Sequence, residues 1–377
     1  MAKKTSKKKI VRKKAVDTAP APELRLAPPP IGLGQVLGQV RAVEALRAAI
    51  ATDRLHHAWI FSGPGGVGKF TTAMAFAAVI LDASSEPNLS GVIEPDPDSN
   101  VQHLLGAGSH PDLHIIVKEL ARFSDDRATR ERKLITIPLD VVRQRMLGPA
   151  YLASNLVGGR ASKVFIVDEA HLLNAATQNA VLKTMEEPPE GTIIILVTDS
   201  EERLLPTIRS RSQRVAFNPL DDRAMQAWLS TSYVEVPTGD SGWLMRYASG
   251  SPGTVKRALE GGLGRWHATI GPMLDRIARG EYVFEFGPVL AELIEERAVA
   301  VVAKNKQASK DAAKKAAIGE MFRLIAERFR EELRAGKSEQ AADAIDALRE
   351  AERELWANVQ LPFVAEQLSE TLSASMR

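Results

Sequence analysis

The stretch Gly63-Pro64-Gly65-Gly66-Val67-Gly68-Lys69 stands between the apolar run Ala58 to Phe61 and the helix-favouring run Thr72 to Leu81. A strand, a glycine-rich turn, a lysine and a helix in that order make a phosphate loop. Gly63, Gly65, Gly66 and Gly68, with Val67 among them, let successive backbone N–H groups curl around phosphate oxygens, and the helix N-terminus adds positive potential. Lys69 is placed to bridge the outer phosphates of a nucleotide. One position breaks the pattern. A Ser or Thr should follow the lysine, because its hydroxyl ligates the Mg²⁺ between the β- and γ-phosphates, yet residue 70 is Phe. Thr71 does not take over, since one step along a helix turns a side chain by about 100°. The loop therefore permits ATP or ADP binding and argues against efficient hydrolysis.

Outward from the loop, four more apolar runs have strand character: Leu113 to Val117, Val164 to Val167, Thr192 to Val197 and Val215 to Phe217. Continuous apolar strands separated by helical patterns suit a parallel sheet covered on both faces, so residues 31–218 are expected to form an α/β core with five parallel strands. Val164 to Val167 delivers Asp168-Glu169-Ala170-His171 to a strand C-terminal end, where ligands gather in such sheets. There Asp168 can hold Mg²⁺ and Glu169 can polarise an attacking water. Thr198 ends another strand, beside the acidic pair if the two strands are neighbours. The letters Asp-Glu-Ala-His also occur in helicases, but no companion helicase motif is present. Ser84 to Ser109 and Lys118 to Lys133 read as surface insertions.

Beyond Pro219 the pattern turns helical, with breaks at Gly250-Ser-Pro-Gly253 and Gly261 to Gly264. Residues 219–264 are expected to form a small helical lid and 265–377 an all-helical domain. Met321 to Leu333 and Ala341 to Trp356 show helix-period apolar positions. The Ala/Lys stretch Ala303 to Ala317 reads as a solvated helix in preference to a linker. Residues 1–14 hold eight Lys or Arg and no acid, so the formal net charge of +2 becomes −6 for the remainder. That tail, continuing through Pro and Ala to Pro30, lacks the apolar content to pack and is expected to be disordered, either a solubilising arm or a weak, salt-sensitive contact for nucleic acid or acidic partners. The absence of cysteine excludes disulfides, thiolate zinc sites and cysteine nucleophiles. No apolar run reaches the ~18 residues a membrane span needs.

More specific signals lie along the same core: Leu37-Gly38-Gln39, Leu55-His56-His57-Ala58, His110-Pro111-Asp112, Asn179 to Pro189, and Leu205-Pro-Thr-Ile-Arg-Ser-Arg211. With the phosphate loop and the acidic motif, these make residues 35 to 260 resemble the delta-prime subunits of bacterial DNA polymerase III clamp loaders, with gamma/tau subunits as near relatives. The resemblance implies an AAA+ core, a lid and a helical collar for oligomerisation. It implies a hetero-oligomeric ring with gamma/tau ATPase and delta subunits, reaching the sliding clamp and primed DNA through the complex, in the cytoplasm and away from membranes. Within Ser210-Arg211-Ser212 it implies that Arg211 reaches a neighbour's ATP site as an arginine finger. Asp168 and Glu169 are then active or vestigial, and Thr198 joins the loop residues around the nucleotide.

Two departures from the family pattern separate this chain from its motor subunits: Phe70, and Gly253 where motors carry an arginine that senses the γ-phosphate. The family's four-cysteine zinc module is also missing, so zinc is not bound through cysteine. Phe70 and Gly253 favour a stator without ATPase activity of its own. The alternative is a gamma/tau-like, DNA-stimulated motor working through Lys69, Asp168, Glu169 and Thr198.

Overall fold

Five strands pair in parallel: β1 (Ala58–Ser62), β2 (Leu113–Ile116), β3 (Lys163–Val167), β4 (Thr192–Thr198) and β5 (Gln213–Ala216), in the order β2-β3-β4-β1-β5. The computed structural model describes residues 29–52, 55–89, 91–155, 158–232, 234–237, 241–305, 307–336, 338–357 and 359–376. The tail expected over residues 1–30 lies outside them except for its last two positions. β1, β3 and β4 are buried on both faces, which is why they read as unbroken apolar runs. Alternate side chains serve different cores: Trp59, Phe61, Ile166 and Ile195 face one cluster, while Ile60, Phe165, Val167 and Leu196 face the other. β5 begins two residues before the apolar run, because Gln213 and Arg214 supply edge backbone with exposed side chains.

Helices cover both faces. α1 (Val40–Ala51) precedes β1, and α2 (Lys69–Leu81) follows the glycine loop. Small residues Ala73, Ala75, Ala77 and Ala78 let α2 sink almost wholly into the core. α3 (Ala175–Glu186) precedes β4, and the short α4 (Pro206–Ser210) leads to β5. α5 (Asp222–Thr231), α6 (Ser241–Ala248) and α7 (Pro252–Glu260) follow the sheet, then α8 (Leu263–Ile277). α9 (Phe286–Lys304), α10 (Lys310–Arg334), α11 (Ser338–Trp356) and α12 (Leu361–Ser375) pack as a closed four-helix ring, α9 against α10 and α12, and α11 against both. Ala341, Ala344, Leu348 and Ala351 are the buried stripe of α11, spaced as the helical pattern requires.

Two surface segments carry local structure, and one expectation needs correction. Ser84 to Ser109 lies mostly at the surface, as expected, and holds the hairpin Glu86–Pro87/Ile93–Glu94 and a helix Asn100–Gly106, with Leu105 buried. Its anchor is Asp82, which accepts hydrogen bonds from Ser84, Ser99 and Gln102. Lys118 to Lys133 likewise forms a 3-10 turn, Lys118–Phe123, that buries Leu120 and Ala121. Ala303 to Ala317 is not one helix, because α9 stops at Lys304 and α10 starts at Lys310, capped by the Ser309 side chain.

Candidate functional site

The parallel register sets three strand ends side by side. Ser62 of β1 is opposite Thr198 of β4, and Val167 of β3 is opposite Leu196. The glycine loop after β1, the acidic pair after β3, and Thr198 with Asp199 therefore share one edge of the sheet, where parallel α/β folds place ligands.

The loop is held by its carbonyls. Lys69 Nζ donates to the oxygens of Gly63, at 2.6 Å, and Pro64. Ser251 Oγ donates to Gly65 at 2.8 Å, the Gly253 amide to Gly66 at 2.9 Å, and Gln39 Nε2 to Val67 at 3.1 Å. Gly68 accepts from the Thr72 amide and hydroxyl. Six consecutive carbonyls are thus tied outward, which turns the intervening amides toward the inside of the turn, the arrangement that binds an anion. Gly63, Gly66 and Gly68 have φ of 147°, 79° and 99°, values that only glycine adopts without strain. These residues fit a phosphate group.

They do not fit the metal that bridges phosphates in this class of loop. Phe70 is half-buried against the larger apolar cluster and presents no oxygen. Burial lowers the pKa of Lys69, while Asp199 and Asp168 pull it back up and Arg257 adds to the depression. Burial pushes the Asp168 carboxyl up to about 6, against a hydrogen bond from the Glu169 amide. Glu169 itself sits at φ 50° and its carboxylate is engaged by Lys118 Nζ at 2.6 Å. Thr198 is buried, receives the Ser200 amide, and lies 3.4 Å from His171 Nδ1. His171 Nδ1 also meets Asp199 Oδ1 at 2.9 Å, and that contact holds the Asp199 carboxyl below its ordinary range.

The structure brings Lys69, Asp168, Glu169 and Thr198 together as the sequence reading placed them, and sets Arg211 apart. Arg211 follows α4, keeps 40% of its side chain exposed, and is paired with Glu186 at 3.1 Å. It is not buried within its own chain. Sequence reasoning gave no role to Gln39, Lys118 and Ser251, because their partners are distant along the chain; Gln39 to Val67 spans 28 residues, Lys118 to Glu169 spans 51 and Ser251 to Gly65 spans 186. Ser251-Pro252, a capping residue followed by proline, was the one local signal that a helix starts at this break.

Residues 38–221 match the sequence family described as "DNA polymerase III, delta subunit". Over 209 residues the chain is 33% identical to the DNA polymerase III subunit gamma/tau of Mycobacterium tuberculosis, covering 53% of this chain and 31% of that protein. It is 30% identical over 201 residues to the DNA polymerase III subunit delta' of Pseudomonas aeruginosa, covering 53% and 55% respectively. The corresponding subunit delta' of Bacillus subtilis is 30% identical over 188 residues, covering 50% of each chain. The chain thus spans between 31% and 55% of the length of these relatives. A DNA polymerase III gamma subunit-related protein from Thermotoga maritima is 17% identical in its crystal structure, with a TM-score of 0.39, covering 88% of this chain and 99% of that one.

Proposed function

Because residues 38–221 belong to the clamp-loader family of AAA+ proteins, we propose that the chain is a delta-prime-like stator of a DNA polymerase III clamp loader, one that binds nucleotide without turning it over. Position 70 carries this reading. An apolar ring seated on the core stands where the metal-binding hydroxyl is required, so the phosphate cradle is kept and the metal seat is lost. The lid supports it as well: Gly253 offers no side chain to a γ-phosphate and lies with its backbone against Gly66.

The site's proposed use lies across a subunit boundary. Arg211, half-exposed at the surface, would exchange its bond with Glu186 for the phosphates of a neighbouring subunit and stabilise charge there. Its partners would be gamma/tau ATPase subunits and a delta subunit in a cytoplasmic hetero-oligomeric ring that acts on the sliding clamp and primed DNA. Among the described residues, no helix is long and apolar enough to cross a membrane.

A second reading, an active gamma/tau-like motor, draws on the convergence of Lys69, Asp168, Glu169 and Thr198 at one edge. The two part in a turnover assay. The purified chain alone should release negligible phosphate from ATP, and Arg211→Ala should lower turnover by the assembled complex while assembly stays intact. Robust hydrolysis by the isolated chain would overturn the stator in favour of the motor.

A further inference from the structure

We infer that Asp199 sets the phosphate preference of the glycine loop: its carboxylate stands at the outer end of the cradle and disfavours a third phosphate, so that this chain holds a nucleoside diphosphate more tightly than the triphosphate. The inference rests on the nucleotide-binding reading and deepens it by naming the ligand and the group that selects it.

Strand register puts the carboxylate there. Ser62 of β1 is opposite Thr198 of β4, so the residues that follow, Gly63 and Asp199, leave the sheet side by side. A Cβ placed on Gly65 would stand 3.5 Å from Asp199 Oδ2, the nearest group to that position. The amides nearer the helix, from Gly66 to Lys69, are the ones that cup inner phosphates, and the lysine reaches the outer ones. Gly65 precedes those amides on the strand side, so a carboxylate beside it faces the outer end of the cradle. It is also held in place. Asp199 Oδ1 meets His171 Nδ1 at 2.9 Å, the imidazole is only 12% exposed, and Thr198 Oγ1 lies 3.4 Å from the same nitrogen. Swinging the carboxylate away would break that contact, and Oδ2 is left toward the loop.

The charges nearby agree. Three acids share this edge, and they differ in how free their charge is. Glu169 is engaged by Lys118, and burial pushes the Asp168 carboxyl up to about 6. Asp199 is exposed and held below its ordinary range, first by the bond to His171, so it carries its charge at neutral pH. Lys69, the cation that would offset it, is committed to the carbonyls of Gly63 and Pro64. Among the described residues Asp199 makes no salt bridge to a lysine or arginine. Two phosphates can therefore fill the amide cradle short of the carboxylate, whereas a third brings its charge up against a fixed charge of the same sign.

The test compares ATP and ADP binding to the full-length chain by isothermal titration without divalent metal, for wild type, Asp199→Asn and Asp199→Ser. Asparagine keeps an oxygen for His171 and removes only the charge. One carboxylate close to a terminal phosphate in a solvent-exposed site corresponds to about a tenfold change in affinity. Wild type should bind ADP more tightly than ATP. Both variants should bind ATP about tenfold more tightly than wild type does while ADP affinity stays within about twofold, and the gain should shrink as salt is raised from about 0.05 M to about 0.5 M. A wild type that prefers ATP, equal gains for ATP and ADP, no gain for ATP, or a gain indifferent to salt would overturn the role of Asp199 and leave the nucleotide site standing. If neither wild type nor variants bind either nucleotide, the nucleotide reading itself is overturned, and the inference with it.

Discussion

Gly253→Ala should destabilise this protein, although the position lies in a helix where alanine is normally the better residue. Helix propensity alone favours the change by about 1 kcal/mol. The structure opposes it, because a Cβ at 253 would stand 2.7 Å from Gly66 Cα and 3.2 Å from Gly66 O. Both atoms are backbone, and Gly66 already occupies φ 79°, so the loop cannot turn aside cheaply. Relief requires α7 and the loop to separate, breaking the bonds Gly253 N–Gly66 O and Ser251 Oγ–Gly65 O. Each is worth about 1 kcal/mol, and incomplete separation adds an overpacking cost of about 1–3 kcal/mol. The net expectation is a loss of about 1–4 kcal/mol. Gly319→Ala is the control: a Cβ there meets nothing within 4 Å, mid-way along α10, so the same change should stabilise by about 0.5–1 kcal/mol. Urea denaturation followed by circular dichroism gives the sign for each, and hydrogen exchange at residues 63–68 reports whether the loop has been released. If Gly253→Ala matches Gly319→Ala in sign and leaves exchange at the loop unchanged, the lid does not rest on the loop in solution and the reasoning fails.

Two further perturbations probe the surrounding network. Ser251→Ala removes both the N-cap of α7 and the donor to Gly65, and should cost about 1–2 kcal/mol in urea denaturation; a change under about 0.3 kcal/mol would contradict the cap. His110 and His114 are held below their ordinary 6.5 by burial, with Asp112 and Asp82 opposing at His110, and Lys163 and Arg145 adding to the effect at His114. A base whose folded pKa is depressed takes up its proton preferentially in the unfolded chain. Its stabilising contribution is present above about 6.5 and is lost as pH falls below it, by up to about 1.4 kcal/mol per pH unit for each group. Asp168, raised to about 6, works in the opposite sense over the same range. The test is therefore the difference between proteins: from pH 7.5 to 5 the denaturation midpoint of wild type should fall more, or rise less, than that of the double variant His110→Gln/His114→Gln, and identical slopes would assign the acid sensitivity to other groups.

The central strands were legible because a parallel sheet buried on both faces leaves a strong trace, as in Val164 to Val167. The phosphate loop was legible because its backbone demands glycine at fixed places. What escaped was tertiary. Nothing local to Gln39 says that its amide will bridge Val67 and Asn218, and nothing local to Lys118 says that it will meet Glu169, 51 residues away. Asp82 shows the same limit from the other side: a single buried carboxylate organises a segment whose Pro, Asp and Ser content reads as open loop. Likewise, α9 ends at Lys304 and α10 begins at Lys310 within a stretch read as one helix, and the Ser309 cap marks the restart.

The carbonyl ties also bear on how binding and rigidity are connected. A loop whose shape depends on Ser251 and Gly253 can bind an anion well only while α7 is docked, so any ligand that prefers this shape must also stabilise the docked lid, by linkage. On the proposed reading, hydrolysis would end that state, and a chain with Phe70 in the metal position would keep it for as long as ligand is bound. The same loop leaves β1, whose Trp59 pairs with Gln213 at the start of β5, two residues beyond Arg211. On the same reading, the arginine offered to a neighbour stands just before β5, at the end of the sheet opposite the phosphate loop, since Ser62, where the loop begins, is opposite Ala216. Losing the metal-binding hydroxyl while retaining the cradle is, on this proposed reading, coherent: the cradle would hold α7 in place and Arg211 would act at the other end of the strands, and neither role would need a phosphate bond to break in this chain.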